Sequence, residues 1–201
     1  MVERECTKKS KAFLSLKDVY ENRERSVAGI KASGKKVIWT FGGNVPDEVI
    51  YAAGMVPVRG WGCPRPWPEA DKYLELSFGD MWRSLFESIM NGERRGLMDG
   101  LVFSSNLTML GKLYSYISTI SAREPERGLP KTALIDYEVM DQSYIFFDRN
   151  CLNTQEFAGL MEQWSGIKIT DEALHEAIAT YNEYRQALRA FLDLRRGENC
   201  R

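Results

Sequence analysis

The chain has 201 residues and a mass of 23.0 kDa, and 44% of its residues are hydrophobic, enough to build one buried core. Twenty-seven basic against 28 acidic side chains leave a formal net charge of −1, so neither nucleic acid nor an anionic membrane surface finds an electrostatic footprint. No apolar run approaches the ~18 residues of a membrane span, and residues 1–11 are charged where a signal peptide would be apolar, so a cytoplasmic protein is expected.

The opening segment is polar and helix-compatible, and Ser33-Gly34 ends it. Residues 37–41, VIWTF, are a β-branched and aromatic run that predicts a strand. Gly42-Gly43 then turns the chain into residues 46–54, where Pro46 at a first helical position and Gly54 at the end bracket a helix. Residues 55–58 predict a second strand. Beyond a loop rich in Pro and Trp, residues 81–90 place Met81, Trp82, Leu85, Phe86, Ile89 and Met90 on one helical face. Residues 99–103 predict a third strand, 107–120 a third helix with Leu107, Leu110, Tyr114 and Ile117 as its stripe, and 132–135 a fourth strand. This alternation predicts an α/β fold: a parallel four-stranded sheet, flavodoxin-like or Rossmann-like, flanked by helices. Only helices follow. Residues 155–164 form one, Ser165-Gly166 breaks it, and a long amphipathic helix N-capped by Thr170 runs to Leu194 with Asp171 and Glu172 in its first turn. Its stripe of Leu174, Ala177, Ile178, Tyr181, Leu188, Phe191 and Leu192 is wide enough to need a partner surface. Three units are expected: an N-terminal helical segment 1–34, an α/β domain 35–150 and a C-terminal helical extension 151–201.

Cys6, Cys63, Cys151 and Cys200 form no CxxC pair and have no histidine nearby, so reduced thiols are expected. His175 is the one histidine of the sequence and lies in a helical stretch, which removes Ser-His-Asp and Cys-His catalysis unless another chain completes the site. Zinc of the Cys/His type is not expected, nor any other metal site, and no catalytic residue stands out.

In open α/β sheets ligands bind beyond the carboxyl ends of the strands, which points to residues 42–45, 59–68, 104–106 and 136–140. Gly42-Gly43-Asn44 precedes a helix, but the spacing is neither GxGxxG nor GxxxxGK[ST], and Asp47 and Glu48 oppose a phosphate there. Two readings stand: a tight turn whose carboxylates answer the helix dipole, or a substrate contact through Asn44 or Glu48. Residues 59–68 carry Arg59, Trp61, Cys63, Arg65 and Trp67 among three prolines. Such a stiff wall suits an aromatic or acyl group with an anionic tail, Arg59 being its first contact; the alternative is that the tryptophans lid the core.

Several strings together resemble a known family. Gly43-x-x-Pro46-x-Glu48-Val49-Ile50-Tyr51-Ala52-Ala53-Gly54-Met55-x-Pro57-Val58-Arg59 resembles the opening signature of the 2-hydroxyacyl-CoA dehydratase and benzoyl-CoA reductase superfamily. Arg83-Ser84, Gly92, Asp99-Gly100-Leu101-Val102 and Leu113-Tyr114 follow in that family's order and spacing. So do Ser165-Gly166, Ile169-Thr170, Leu174, Ala177-Ile178 and Tyr181-Asn182-Glu183-x-Arg185, which resemble its helical segment between two α/β domains. The resemblance implies a subunit of an oxygen-sensitive, iron-sulfur lyase or reductase of anaerobic metabolism acting on an acyl-CoA thioester. Family subunits are roughly twice this long, with a second α/β domain after the helical segment.

The resemblance also implies a [4Fe-4S] cluster, held by one cysteine before the Arg-Ser pair, one after the Asp-Gly strand and one from the second domain. Here the first window reads Leu76-Ser77-Phe78-Gly79-Asp80 and the second Ser104-Ser105-Asn106-Leu107-Thr108, with Ser77, Gly79, Asn106 and Leu107 marking vacated ligand positions. Cluster iron is held mostly by thiolate, so a cluster bound in the usual way is not expected in this chain. Cys63 lies upstream and reaches the first window only if its loop folds back. The expectation is a member of this superfamily that works with a partner subunit of the same superfamily on an acyl-CoA, with Gly43, Asn44, Glu48, Arg59, Trp61, Ser105 and Asn106 lining the crevice. A non-catalytic scaffold or stabilising subunit is the alternative.

Overall fold

The computed structural model describes residues 11–137 and 144–193. Cys6, residues 138–140 of the fourth loop, Leu194 and Cys200 lie outside the described residues. In chain order the elements are α1 (Lys11–Glu21), α2 (Arg23–Ala32), β1 (Val37–Phe41), α3 (Asp47–Ala52), β2 (Val56–Arg59), α4 (Pro68–Tyr73), α5 (Asp80–Met90), β3 (Gly100–Ser104), α6 (Thr108–Arg123), β4 (Lys131–Ile135), α7 (Tyr144–Ser165) and α8 (Asp171–Asp193). All strand pairs are parallel and the order is β2-β1-β3-β4. The expected α/β fold with a parallel four-stranded sheet is what the chain forms.

β1 and β3 are buried along their whole length, which is why both read as unbroken apolar runs. Alternate side chains feed two layers. Trp39, Phe41, Leu101 and Phe103 pack with Phe86, Ile89 and Met90 of α5 and Leu110, Leu113 and Ile117 of α6. Ile38, Val102, Ala133 and Ile135 pack with Val49 and Ile50 of α3 and Phe157 and Met161 of α7.

The boundary expected at residue 150/151 falls inside a helix. α7 begins eleven residues before the expected start at 155 and belongs to the sandwich: Met161 is fully buried on the sheet, and a Cβ at Gly100 would lie 2.5 Å from the Trp164 ring. Asn150, Asn153 and Thr154 are weak helix formers, so packing against the sheet, not local propensity, extends this helix. α4 sits inside the stretch expected to be a loop, started by Pro68 at its first turn.

The expected apolar face of α5 is rotated. Met81 is 60% exposed, while Arg83, Glu87 and Ser88 are buried. Arg83 donates to the carbonyls of Leu74 and Glu75 at 3.4 and 3.2 Å and pairs with the Asp71 carboxylate. One turn on, Glu87 Oε2 accepts the Ala70 N–H at 2.9 Å. These two side chains, on one side of the helix, brace α4 and the turn after it against α5. At the opposite end of the sheet Asp99 accepts the Val37 N–H at 2.7 Å and pairs with Lys31 of α2 at 2.6 Å. No helix among the described residues is long and apolar enough to cross a membrane.

The sheet order reverses direction between β1 and β3, and there the two strand ends meet. Gly42 leaves β1 with φ +105°, and a Cβ on it would lie 2.9 Å from Ser104 Cβ and 3.0 Å from Leu110 Cδ1. Both the backbone angle and the space require glycine. At Gly43, next in sequence, a Cβ would stand in open space, with nothing within 4 Å.

Gly42→Ala is therefore expected to lower stability by about 1–3 kcal/mol, while Gly43→Ala changes it little; urea denaturation midpoints of the two variants measure the difference. Burial holds the Glu87 carboxyl above its ordinary 4.5, so the folded chain keeps that proton more tightly than the unfolded chain. The stabilisation from that proton is complete below 4.5 and is lost as pH rises through the folded value. Wild type should accordingly lose stability relative to Glu87→Gln as pH rises above 4.5. Equal pH slopes in urea titrations of the two proteins would refute this.

Candidate functional site

Beyond the ends of β1 and β2, closed on the far side by Leu107 and Leu110 at the start of α6, lies a crevice of about 360 Å³, in the size range of small-molecule sites. Its floor is Phe41 and Leu110, 3% and 2% exposed, and Phe41 stacks on Phe103 with centroids 4.7 Å apart. Trp82 and Leu85 of α5 form one wall, Gly43, Gly60 and Arg59 the other, and Met81 and Leu107 stand at the rim. A Cβ at Gly60 would lie 2.2 Å from the Phe41 ring, so the bare backbone there is what lets the ring lie flat beneath the crevice.

Of the residues expected at the site, Gly43 and Arg59 line this crevice. Asn106 and Ser105 flank it in the turn between β3 and α6: Ser104 Oγ donates to Asn106 Oδ1 at 2.7 Å, the Ser105 N–H donates to the Ile135 carbonyl at 3.0 Å, and Ser105 Oγ donates to the Asp136 carboxylate. Asn44 is exposed beside the crevice. Trp61 goes elsewhere. It stacks on Trp39 at 4.3 Å, lies beneath Arg94 and lines a separate cavity against residues 20–25. Core stacking thus claims this tryptophan, the alternative the sequence left open for the loop.

The first turn of α3 presents two carboxylates, and each takes a guanidinium. Arg59 donates to Asp47 Oδ2 at 3.1 Å and to the Gly42 carbonyl, which fixes it at the crevice wall. Glu48 pairs with Arg185 of α8, so it faces the helix packed behind α3. Burial pushes the Asp47 carboxyl up, opposed by the Arg59 charge, and its Oδ1 is buried without a hydrogen-bond partner. Burial, reinforced by the Asp47 and Glu48 charges, also holds the Tyr181 phenol well above its ordinary range. Tyr181 meets Tyr51 edge-on at 6.0 Å, completing the contact between α8 and α3. His175 lies on the exposed side of α8, its Nδ1 2.7 Å from the Asp171 carbonyl.

The two windows expected to carry cluster thiolates start neighbouring helices, α5 and α6. Gly79 precedes Met81 by two residues, and Leu107 itself lines the crevice rim. Ser77 is exposed and donates to Glu75 Oε2 at 3.2 Å. Phe78, between Ser77 and Gly79, is buried against Tyr116. The donors offered are hydroxyl, amide and backbone oxygens and the Asp80 carboxylate, which pairs with Arg65, whereas cluster iron takes thiolate. Cys63 is tied to α5 instead: its N–H and its thiol both reach the Ser84 carbonyl, and Ser84 Oγ donates to the Cys63 carbonyl at 2.7 Å. Burial pushes the Cys63 thiol up and keeps it protonated. These residues do not fit a cluster gripped in the way the resemblance implies. Among the described residues no group of three or more His, Cys, Asp or Glu side chains is placed to hold a metal ion.

Sequence reasoning placed Met81, Trp82, Leu85, Leu107 and Leu110 on core stripes; Leu110 is in the core as expected and Trp82 and Leu85 pack against it, yet all five also line the crevice, with Met81 and Leu107 exposed at its rim. The missed signal is that their helices start beside the two strand ends, where the first turn faces the ligand side. Arg185 belongs to the same class: its partner Glu48 is 137 residues away, and only the fold brings them together.

Residues 43–201 match the family model described as 2-hydroxyglutaryl-CoA dehydratase, D-component. The chain is 26% identical over 185 residues to the (R)-phenyllactyl-CoA dehydratase beta subunit of Clostridium sporogenes, a match covering 90% of this chain and 47% of that one. It is 28% identical over 172 residues to the (R)-2-hydroxyglutaryl-CoA dehydratase subunit beta of Acidaminococcus fermentans, covering 84% and 43% respectively. It is also 28% identical over 192 residues to the lactoyl-CoA dehydratase subunit beta of Anaerotignum propionicum, covering 90% and 46%. The chain spans less than half the length of these curated relatives. With the family model covering most of its residues, and its strand-end motifs folded around one crevice, the chain belongs to the 2-hydroxyglutaryl-CoA dehydratase D-component family.

Proposed function

We propose that the chain is a subunit, or half of a subunit, of a 2-hydroxyacyl-CoA dehydratase- or benzoyl-CoA reductase-like complex that acts on an acyl-CoA thioester, with no [4Fe-4S] cluster held by its own residues in the family's usual way. One observation carries this reading: an apolar crevice beside the sheet switch point with Leu107, a position where the resemblance implies a thiolate, at its rim, and Gly79, another such position, two residues before the rim residue Met81. The relatives named above, each the beta subunit of a different acyl-CoA dehydratase, support the substrate class and a partner subunit of the same superfamily. A cytoplasmic, anaerobic setting fits that chemistry.

In this reading the chain's residues position and shield. Phe41, Trp82, Leu85 and Leu110 keep water from the acyl end, and the Asp47 carboxylate and Gly42 carbonyl hold Arg59 fixed at the wall. The exposed apolar side chains of α8, Ile178, Leu188, Phe191 and Leu192, provide a docking face for the partner. The scaffold alternative draws on the same ion pairs: Asp47 and Glu48 both spend their charge on internal guanidinium groups, which leaves neither free for chemistry.

The test is anaerobic co-expression with a superfamily partner, followed by iron and sulfide analysis of the separated chains and calorimetric titration of the complex with an acyl-CoA. The expected outcome is iron in the partner alone and thioester binding by the complex, weakened about tenfold or more by Gly43→Trp, which fills open space at the crevice wall. A brown, iron-bearing preparation of this chain alone would overturn the absence of a cluster, and a complex that ignores the thioester would establish the scaffold role.

A further inference from the structure

We infer that the crevice selects an acyl group with an uncharged, apolar side chain and rejects one that ends in a second carboxylate; this rests on the thioester reading above. Every side chain lining the crevice among the described residues is apolar apart from Thr40 and Arg59. Phe41 and Leu110 form a buried, closely packed floor, Trp82 offers a flat wall, and Met81 and Leu107 put two flexible apolar arms at the mouth. Such a lining gains from every apolar atom that replaces water in it and gives a carboxylate nothing in return for its lost hydration.

Arg59 decides the matter, since a guanidinium in an acyl pocket would ordinarily mark a site for a dicarboxylic substrate. Here its charge is already answered by Asp47, with Nη2 3.1 Å from Oδ2, and Nη1 donates to the Gly42 carbonyl. The Arg59 side chain is about half exposed, so a carboxylate brought to it would share the guanidinium with Asp47, whose other oxygen is already buried without a partner. Two carboxylates would then stand side by side on one guanidinium, and like charges so close oppose one another. The geometry leaves the guanidinium as a wall element and the interior as an apolar receptor. Gly60 contributes to this: a Cβ there would lie 2.2 Å from the Phe41 ring, so any side chain would force the crevice floor to shift.

The experiment is calorimetric titration of the full chain, alone and in its co-expressed complex, with 3-phenylpropanoyl-CoA, glutaryl-CoA and free coenzyme A. The expected result is phenylpropanoyl-CoA binding about tenfold or more tightly than glutaryl-CoA, the scale on which one pocket discriminates apolar from mismatched groups. Leu107→Arg adds an unengaged cation at an exposed rim position and should narrow or invert that ratio with an unchanged melting temperature. Glutaryl-CoA binding as well as phenylpropanoyl-CoA in wild type would overturn the apolar selectivity while leaving thioester binding intact. A ratio unmoved by Leu107→Arg would overturn the placement of the acyl group in this crevice. Neither thioester exceeding free coenzyme A would overturn the thioester reading itself, and the inference with it.

Discussion

The close approach of two parallel strand ends governs this molecule. β1 and β3 are neighbours, yet their connections leave to opposite sides, and the backbone at Gly42 must swing away with a positive φ while almost touching Ser104 and Leu110. That single contact brings the start of α6 against the turn that leads into α3, on one side of the crevice. The remaining lining follows from it: Phe41 lies at the last position of β1, Leu110 in the first turn of α6, and Gly60 at the end of β2, so three elements converge within a few residues of one glycine.

Charge in this chain is used mainly as strutwork. Arg83 and Glu87 are buried on α5 and would be expensive there without partners; both are engaged by the backbone of the α4 region, and Arg83 also by the Asp71 carboxylate. Arg59 with Asp47 and Arg185 with Glu48 brace the first turn of α3 from two sides. Removing one member of such a pair leaves the other uncompensated, which makes these residues sensitive positions for folding whatever their part in function. Arg83, Asp99 and Gly100, which carried part of the family resemblance, all have structural employment: a brace for α4, an anchor for the first N–H of β1 and for Lys31, and clearance for Trp164.

Much of the architecture was legible in the sequence because its strands are short β-branched runs set between glycine and proline signals. VIWTF and the segment after Asp99 fall within a residue of their observed bounds, and α8 begins directly after the expected cap Thr170. What could not be read depends on distance through space. The start of α7 needed the sheet to favour helix over the weak propensities of Asn150, Asn153 and Thr154, and the roll of α5 needed Ala70 and Leu74 to satisfy buried charges. The candidate site was legible in part: the strand-end rule led to Gly43, Arg59 and the Ser105-Asn106 turn, while Trp61 was captured by Trp39, since a flat ring beside another buried ring stacks before it serves a ligand.

α8 touches the rest of the chain mainly through its first half. Ala177 is fully buried, Tyr181 meets Tyr51, and Arg185 holds Glu48, after which residues 186–193 are exposed. Those eight residues extend the rod by about 12 Å at the ordinary helical rise. A stiff rod pinned near its middle is a lever: sideways load at the outer turns becomes torque at the Arg185–Glu48 joint, and the first turn of α3, which that joint shares with the crevice wall, is where the torque is delivered.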